Sequence, residues 1–320
     1  MKVNPKMHLN FKREKVPTRN GYGDALVQLG KNKNIMVLCA DLKDSTRVLK
    51  FAKKYPQQFV EMGVAEQNLV TVASGLAAVG KIPFASSYAA FCPGRCWEQI
   101  RTTICYNNQN VKIIGAHAGI SVGPDGATHQ ALEDIATMRS LPNIIVVVPA
   151  DYEQTKKATK AIAKYKGPVY MRFARNATAQ MSTSKTPFTI GKAQVWKQGK
   201  DVAIIGAGPV LPQCLEAAKL LQQENISAMV INSHTIKPLD KKTIIQAAKK
   251  CKAVITVEEA QITGGLGGAV AECLAENYPT KMKRVGVKDH YGESGEPDEL
   301  LKKFGFSAKH IAAAAKKLIK

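Results

Sequence analysis

The hydrophobic residues of this chain form short apolar runs that alternate with stretches of helical spacing. Continuous apolar runs such as 34–40 and 111–115 are typical of strands buried on both faces. Further strands are predicted at 83–87, 144–148, 169–172, 201–206, 227–232, 253–258 and 283–287. Helices are predicted at 18–30, 97–104, 129–139, 151–165, 210–223, 240–250, 265–277 and 307–319, and another begins near Glu66. This alternation predicts an α/β fold with mainly parallel sheets covered by helices.

The length and the composition along the chain predict two domains. A chain of 320 residues is typical of two domains of ordinary size. Residues 1–16 are polar and basic, and we expect an N-terminal arm there. Residues 17–180 contain the first strand–helix series, 181–190 have the composition of a linker, and 191–320 contain the second series. Each domain is expected to hold its own mainly parallel sheet.

Segment 62–78 combines a largely apolar helix with an acidic side chain in its first turn. Gly63 offers a flexible lead-in, and Glu66 begins the helix. A helix that is apolar on most sides is expected to be buried, and glutamate is almost never fully buried without a partner. A carboxyl group in an apolar setting can be protonated near neutral pH and donate a hydrogen bond. From this segment alone, a carboxylate that merely interacts with the backbone N–H groups of the helix start stays an alternative.

The large positive charge does not by itself indicate a nucleic-acid partner. Lys and Arg number 46 against 25 Asp and Glu, which gives a net charge of +21. A basic patch is the usual footprint of nucleic-acid binding, but these lysines are spread along the chain and no recognition motif accompanies them. We therefore expect a solvated surface that helps to attract small anions, and no nucleic-acid partner.

The cysteines and the termini indicate the expected compartment. Seven scattered cysteines lack the paired spacing of a zinc site, and reduced thiols are typical of the cytoplasm. The sequence contains no run of about 18 apolar residues, so no membrane span is predicted. The polar N-terminus lacks the apolar region of a signal peptide. The prediction is a cytoplasmic protein without a membrane partner.

Four motifs, in this order, closely resemble the pyrimidine-binding domain of transketolase. They are Gly-Val-Ala-Glu-Gln-Asn (63–68), Ser-Tyr-Ala-Ala-Phe (87–91), Gly-Pro-Asp-Gly-Ala-Thr-His-Gln (123–130) and Arg-Ser-Leu-Pro-Asn (139–143). The likeness continues through the C-terminal domain of that family to the end of the chain. It implies an enzyme that uses thiamine diphosphate to transfer a two-carbon ketol unit from a ketose phosphate to an aldose phosphate.

A motif that whole transketolases carry is not found in this sequence. Their first domain holds the diphosphate and a metal, and it is marked by Gly-Asp-Gly followed by an Asn; no Gly-Asp-Gly occurs here. The chain therefore looks like the C-terminal subunit of a split transketolase. The resemblance implies an N-terminal partner subunit that holds the diphosphate with Mg²⁺ or another divalent cation, in a heterotetramer or around a homodimeric core.

The resemblance also implies which residues bind the cofactor. Glu66 matches the buried glutamate that hydrogen-bonds N1′ of the aminopyrimidine in this family, and it is assigned as catalytic. Phe91 falls where an aromatic ring stacks on the pyrimidine, and Tyr88 would wall the same pocket. Asp41 follows a predicted strand, where parallel sheets place ligand contacts, and is assigned to the cofactor as well. The sequence after Phe91 departs from the usual family spacing by what looks like one extra residue.

Three further residues resemble those that contact the sugar near its reacting carbons. They are His117, Asp125 and His129, of which His129 is also assigned to proton transfer. For each of them, a structural role such as helix capping is the alternative.

Arg19, Ser45 and Arg175 fall where the family holds the sugar phosphate. The planar guanidinium group suits phosphate because it donates two hydrogen bonds at once. Together these positions favour transketolase over a 1-deoxyxylulose-5-phosphate synthase or the β subunit of a 2-oxoacid dehydrogenase. A noncatalytic binding protein that kept the fold is a third possibility. Four residues together argue against it: Glu66, Phe91, Asp125 and His129.

Overall fold

The computed structural model describes residues 4–11 and 14–320, and the predicted α/β architecture is confirmed. The strands are β1 (Lys15–Pro17), β2 (Ile35–Cys39), β3 (Phe59–Glu61), β4 (Ile82–Tyr88), β5 (Lys112–Ala116), β6 (Ile145–Val147), β7 (Val169–Phe173), β8 (Ala177–Ala179), β9 (Gln194–Lys197), β10 (Val202–Gly206), β11 (Ala228–Asn232), β12 (Thr235–Lys237), β13 (Ala253–Gln261) and β14 (Lys281–Val287). The helices are α1 (Thr18–Leu29), α2 (Leu49–Lys54), α3 (Glu66–Ala78), α4 (Trp97–Gln99), α5 (Asp134–Ser140), α6 (Tyr152–Lys164), α7 (Leu211–Gln223), α8 (Lys241–Cys251), α9 (Leu266–Asn277), α10 (Pro297–Lys303) and α11 (Ala308–Ile319). None of these helices is both long and apolar enough to cross a lipid bilayer.

Two main sheets organise the chain. Seven strands form the first sheet in the order β12-β6-β7-β5-β4-β2-β3, and five form the second in the order β14-β13-β10-β11-β9. Pairing is parallel except at two edges, where β12 runs antiparallel to β6 and β9 antiparallel to β11. Strand β12 belongs by sequence to the second half of the chain, so one short strand crosses over and completes the first sheet.

A separate two-stranded sheet and the cap of α6 hold the segments that flank the first strand–helix series. At the end of the predicted arm, β1 pairs antiparallel with β8 in the two-stranded sheet, whereas residues 1–3 and 12–13 lie outside the described residues. Asp151 caps α6 by accepting a hydrogen bond from the Gln154 N–H at 2.9 Å. Its other carboxylate oxygen accepts from the backbone N–H groups of Met181 and Ser182, at 3.0 and 2.6 Å. The start of the predicted linker is therefore tied to the start of α6.

Two predicted helices differ from the structure. The helix predicted over 129–139 begins only at Asp134, because residues 127–129 form a turn and Ala131 forms a parallel bridge with Ala118. The helix predicted over 97–104 is the short α4 followed by a π-helical segment, Ile100–Cys105. Strand–helix alternation carries no signal for either irregularity.

A buried charged cluster joins the two sheets. Arg172, near the end of β7, donates to Asp134 at 2.6 Å and to the backbone carbonyl of Glu259, in β13, at 3.0 Å. Tyr170 donates its hydroxyl to the other oxygen of Asp134 at 2.6 Å. Burial raises the pKa of Asp134, while the Arg172 charge and the Tyr170 hydroxyl oppose that shift. The cluster is a fully buried ion pair in which both oxygens of the carboxylate are hydrogen-bonded.

The same cluster supports the turn that follows β5. The carboxylate of Glu259 accepts a hydrogen bond from the Ser121 N–H at 3.0 Å. Gly119 has φ +90°, and a Cβ there would lie 2.8 Å from the Glu259 carboxylate and 2.9 Å from the Arg172 guanidinium. Only glycine therefore fits this close approach. A strand of the second sheet thus fixes the loop that follows β5, at the carboxyl end of the first sheet.

We expect Arg172→Met to destabilise the chain by about 3–5 kcal/mol, because it leaves the Asp134 carboxylate buried without its cation. Urea denaturation of the chain measures this change. The control is Lys219→Met, which removes an exposed pair with Glu216 and should cost less than about 1 kcal/mol. Equal stability losses in the two variants would contradict the importance of the buried pair.

Candidate active site

The candidate site lies at the carboxyl ends of the strands of the first sheet. Tyr88 is the last residue of β4, and His117 and Arg175 follow β5 and β7. Glu66 and Arg19 lie in the first turns of α3 and α1. Parallel sheets place ligand contacts at this edge, because the loops that leave neighbouring strands meet there.

Glu66 is buried but does not lie in a purely apolar setting. Its side chain accepts a hydrogen bond from the Ser87 hydroxyl at 2.9 Å and from an Arg95 guanidinium nitrogen, also at 2.9 Å. The apolar environment predicted for this carboxyl is therefore wrong in this structure, since a cation and a hydroxyl both donate to it. Both oxygens of this buried side chain are therefore hydrogen-bonded.

Helix α3 is not buried on all sides. Leu69, Val70 and Ala73 pack into the core, but Gln67 and Gly75 are exposed. A Cβ on Gly75 would meet no atom within 4 Å. Val64 and Val79, on either side of the helix, are 70% and 74% exposed. The helix that starts at Glu66 is therefore flanked by apolar side chains that are uncovered in the described chain.

Four rings pack against one another beside Glu66. The Tyr88 ring centroid lies 4.1 Å from that of His117 and 6.0 Å from that of Phe91. His129 meets the Phe91 ring edge-on at 5.3 Å and the Tyr88 ring at 6.0 Å. The structure thus brings Tyr88, Phe91, His117 and His129 together, although they come from three separate segments of the sequence.

The loop after Phe91 presents a residue that the sequence patterns do not single out. The Arg95 N–H donates to the Phe91 carbonyl at 2.9 Å, which closes a tight turn. Gly94 is needed in this turn, since a Cβ there would lie 2.0 Å from the Ala90 carbonyl oxygen. The turn places the guanidinium carbon of Arg95 4.3 Å from the Phe91 ring centroid. The glycine and the extra residue in this loop are the signals in the sequence that could have pointed to it.

Arginines converge on His117 at the other end of the site. Arg19 donates from one guanidinium nitrogen to the Ser45 carbonyl at 3.0 Å and lies 3.4 Å from His117 Nε2. Arg175 donates to the Val122 carbonyl at 3.1 Å. Burial lowers the pKa of Arg19, and the nearby charges of Arg47 and Arg175 lower it further. A cluster of like charges held this close is suited to an anion.

His117 is neutral and has an unused donor. Burial, followed by the charge of Arg19, lowers its pKa to about 3. Because the Arg19 guanidinium approaches Nε2, this nitrogen is the acceptor, and Nδ1 carries the proton. Within the described chain, His117 Nδ1 and Arg19 Nε are both buried and have no hydrogen-bond partner. Buried polar atoms are seldom left unpaired, so this pair of orphaned donors indicates a binding site.

The remaining predicted residues lie around this centre. Asp125 has a carboxylate oxygen 4.0 Å from Arg175 Nε, and Ser45 contributes its backbone carbonyl to Arg19. His129 lies in a turn before α5, where its Nδ1 is 2.9 Å from the Thr128 hydroxyl.

Asp41 is not brought into the ring cluster by any hydrogen bond or ion pair among the described residues. It is exposed, has φ +57°, and donates its backbone N–H to the Glu61 carboxylate at 2.8 Å. Over residues 4–11 and 14–320, no group of three or more His, Cys, Asp or Glu side chains is placed to hold a metal ion.

Comparisons with known families agree with this architecture. The transketolase pyrimidine-binding domain matches residues 14–180, and the transketolase C-terminal domain matches residues 191–311. The chain is 48% identical over 299 residues to a Methanocaldococcus jannaschii protein named "Putative transketolase C-terminal section", covering 92% of this chain and 93% of that protein.

Two further relatives show how much of a split subunit and of a whole transketolase this chain spans. A solved structure titled "Split gene transketolase, inactive beta4 tetramer" superposes with a TM-score of 0.89 at 46% identity and covers 95% of this chain and 98% of that one. Human transketolase is 38% identical over 311 residues, but the match spans 96% of this chain and only 49% of the human protein. The chain belongs to the transketolase family and corresponds to the C-terminal subunit of a split transketolase.

Proposed function

We propose that this chain supplies the pyrimidine half of a thiamine-diphosphate site and the sugar-phosphate subsite of a transketolase. The observation that carries the proposal is the arrangement of Glu66 and Phe91. One planar group, the Arg95 guanidinium, lies over the Phe91 ring and donates an N–H to the Glu66 carboxylate. An aminopyrimidine is also planar and carries nitrogens at its edge, so the same two side chains fit it.

In this proposal, each pocket residue has a distinct role toward the cofactor. When bound, thiamine diphosphate supplies the nucleophilic carbon that cleaves and forms the ketose carbon–carbon bond. Glu66 hydrogen-bonds N1′ and holds or moves a proton there. Phe91 stacks on the pyrimidine, and Tyr88 keeps water from one side of the pocket. Asp41 stays a predicted cofactor contact that no interaction among the described residues supports.

The sugar substrate is proposed to bind between the rings and the arginines. His117 Nδ1–H and Arg19 Nε, the two orphaned donors, would hydrogen-bond substrate oxygens. Arg19 and Arg175 would bind the phosphate with charge-assisted hydrogen bonds, and Ser45 would line that end. His129 and Asp125 would contact substrate hydroxyls, and His129 would assist proton transfer. This end of the site favours phosphorylated sugars, a ketose as donor and an aldose as acceptor.

The other half of the site is assigned to a partner. We propose an N-terminal transketolase subunit that holds the diphosphate with Mg²⁺ or a similar cation, for which carboxylate and amide oxygens are suited. The uncovered apolar side chains on either side of α3, Val64 and Val79, would lie in the interface. A heterotetramer or a homodimeric core with added subunits is the proposed assembly, in the cytoplasm. One relative is titled an inactive β4 tetramer, which supports the need for a partner.

We expect Glu66→Gln to slow deuterium exchange at C2 of thiamine diphosphate by about 100-fold or more, because the amide cannot take part in proton transfer at N1′. Exchange is measured in the enzyme assembled with its N-terminal partner, and circular dichroism of the variant checks that the fold is kept. Exchange at the wild-type rate would contradict the role of Glu66.

We expect Arg19→Ala and Arg175→Ala each to raise KM for phosphorylated acceptors by about 10- to 100-fold, the range for hydrogen bonds to charged groups. Short unphosphorylated aldehydes should be affected little, since they never reach these arginines. Arg284→Ala, an exposed arginine of β14, is the matched control. The assignment would be wrong if both substrate types lost the same factor.

A further inference from the structure

Arg95 makes, within this chain, the two contacts that the cofactor ring is proposed to make. Its guanidinium donates to the Glu66 carboxylate at 2.9 Å, and its central carbon lies 4.3 Å from the Phe91 ring centroid. A guanidinium group over an aromatic face is stabilised by a cation–π interaction, independently of the carboxylate. The guanidinium therefore lies between the ring and the carboxylate.

This space holds only one planar group. Carbon atoms of stacked groups pack about 3.5–4.0 Å apart, so a second ring does not fit between Arg95 and Phe91. Tyr88 and His129 also pack against the Phe91 ring, with ring centroids 6.0 and 5.3 Å from it. A pyrimidine that stacks on Phe91 and reaches Glu66 from the side now taken by Arg95 needs that side chain to move.

We propose that Arg95 occupies the pyrimidine pocket of the free subunit and swings into solvent when thiamine diphosphate binds. The inference rests on the proposed roles of Glu66 and Phe91. Arg95 thus competes with the pyrimidine ring for the Phe91 face and the Glu66 carboxylate. Contacts of the diphosphate with the partner subunit must outweigh this competition.

The surroundings of Arg95 allow the side chain to move while its loop stays fixed. The flanking Cys92 and Cys96 are both fully buried, so the backbone of the turn is anchored on either side. The Arg95 side chain is half exposed, whereas that of Glu66 is 1% exposed. Rotation of the arginine therefore carries its charge into water without unfolding the loop.

In the free subunit, Arg95 stabilises the buried side chain of Glu66 by pairing with it. A carboxylate at the position of Glu66 that has lost its cation is strongly destabilising. Arg95 supplies that cation until the cofactor supplies other contacts. The same pairing weakens the apparent affinity for the cofactor, because only the fraction of molecules with the pocket open can bind it.

A double-mutant cycle in the free chain tests, without any cofactor, whether Arg95 pairs with Glu66. Arg95→Ala should lower the unfolding temperature of the wild-type chain but have little effect when Glu66→Gln is already present. Arg284→Ala removes a hydrogen bond to the Ile262 carbonyl in the second domain and should change the unfolding temperature equally in both backgrounds. Equal losses from Arg95→Ala in the two backgrounds would overturn the pairing of Arg95 with Glu66 in solution.

Cofactor binding tests whether Arg95 must leave the pocket when thiamine diphosphate binds. In the enzyme assembled with its partner and Mg²⁺, Arg95→Ala should bind thiamine diphosphate about 10- to 100-fold tighter in calorimetry, since a charge-assisted contact no longer competes. Unchanged or weaker binding would overturn the proposal and show that Arg95 stays in place in the loaded site. Failure of the proposed function itself would appear separately, as unaltered C2 exchange in Glu66→Gln.

Discussion

The site depends on keeping the carboxylate of Glu66 buried at the start of α3. A carboxyl group at such a position needs hydrogen-bond donors around it, and this chain provides the Ser87 hydroxyl and the Arg95 guanidinium. Ser87 is fixed as part of β4, whereas Arg95 comes from a turn that Gly94 permits. The carboxylate is thus held by one rigid partner and one side chain that can move.

The second sheet contributes to the site although its own residues do not lie in the ring cluster. Glu259 holds the turn after β5 through the Ser121 N–H, and Arg172 holds Glu259 through its backbone carbonyl. That turn directly follows His117, whose Nδ1 donor is unused in the described chain. The C-terminal half therefore supports the turn beside the histidine that is proposed to face the substrate, through buried hydrogen bonds that a shift of either sheet would break.

Much of the fold could be predicted from the sequence, because buried parallel strands are continuous apolar runs with clear ends. The crossing of β12 into the first sheet could not, since a three-residue edge strand has no periodicity to read. The late start of α5 at Asp134 depends on the bridge between Ala131 and Ala118, a tertiary contact.

The ordered motifs are sufficient to predict that Glu66, Tyr88 and Phe91 belong to one site. They do not reveal the partner of Glu66, because Arg95 reaches it only through the turn geometry at Gly94. The orphaned Nδ1 of His117 is equally hidden in the sequence, since it follows from the approach of Arg19 from a distant helix. Local patterns thus predict elements and motifs, while the pairing of polar groups depends on the packed fold.

The central claim is that this chain is half of a cofactor site and needs an N-terminal transketolase subunit to complete it. Calorimetry with thiamine diphosphate and Mg²⁺, on the purified chain and then after addition of that subunit, tests the claim most directly. We expect negligible binding and no ketol transfer by the chain alone, with both restored in the complex. Tight binding and full turnover by the chain alone would contradict it.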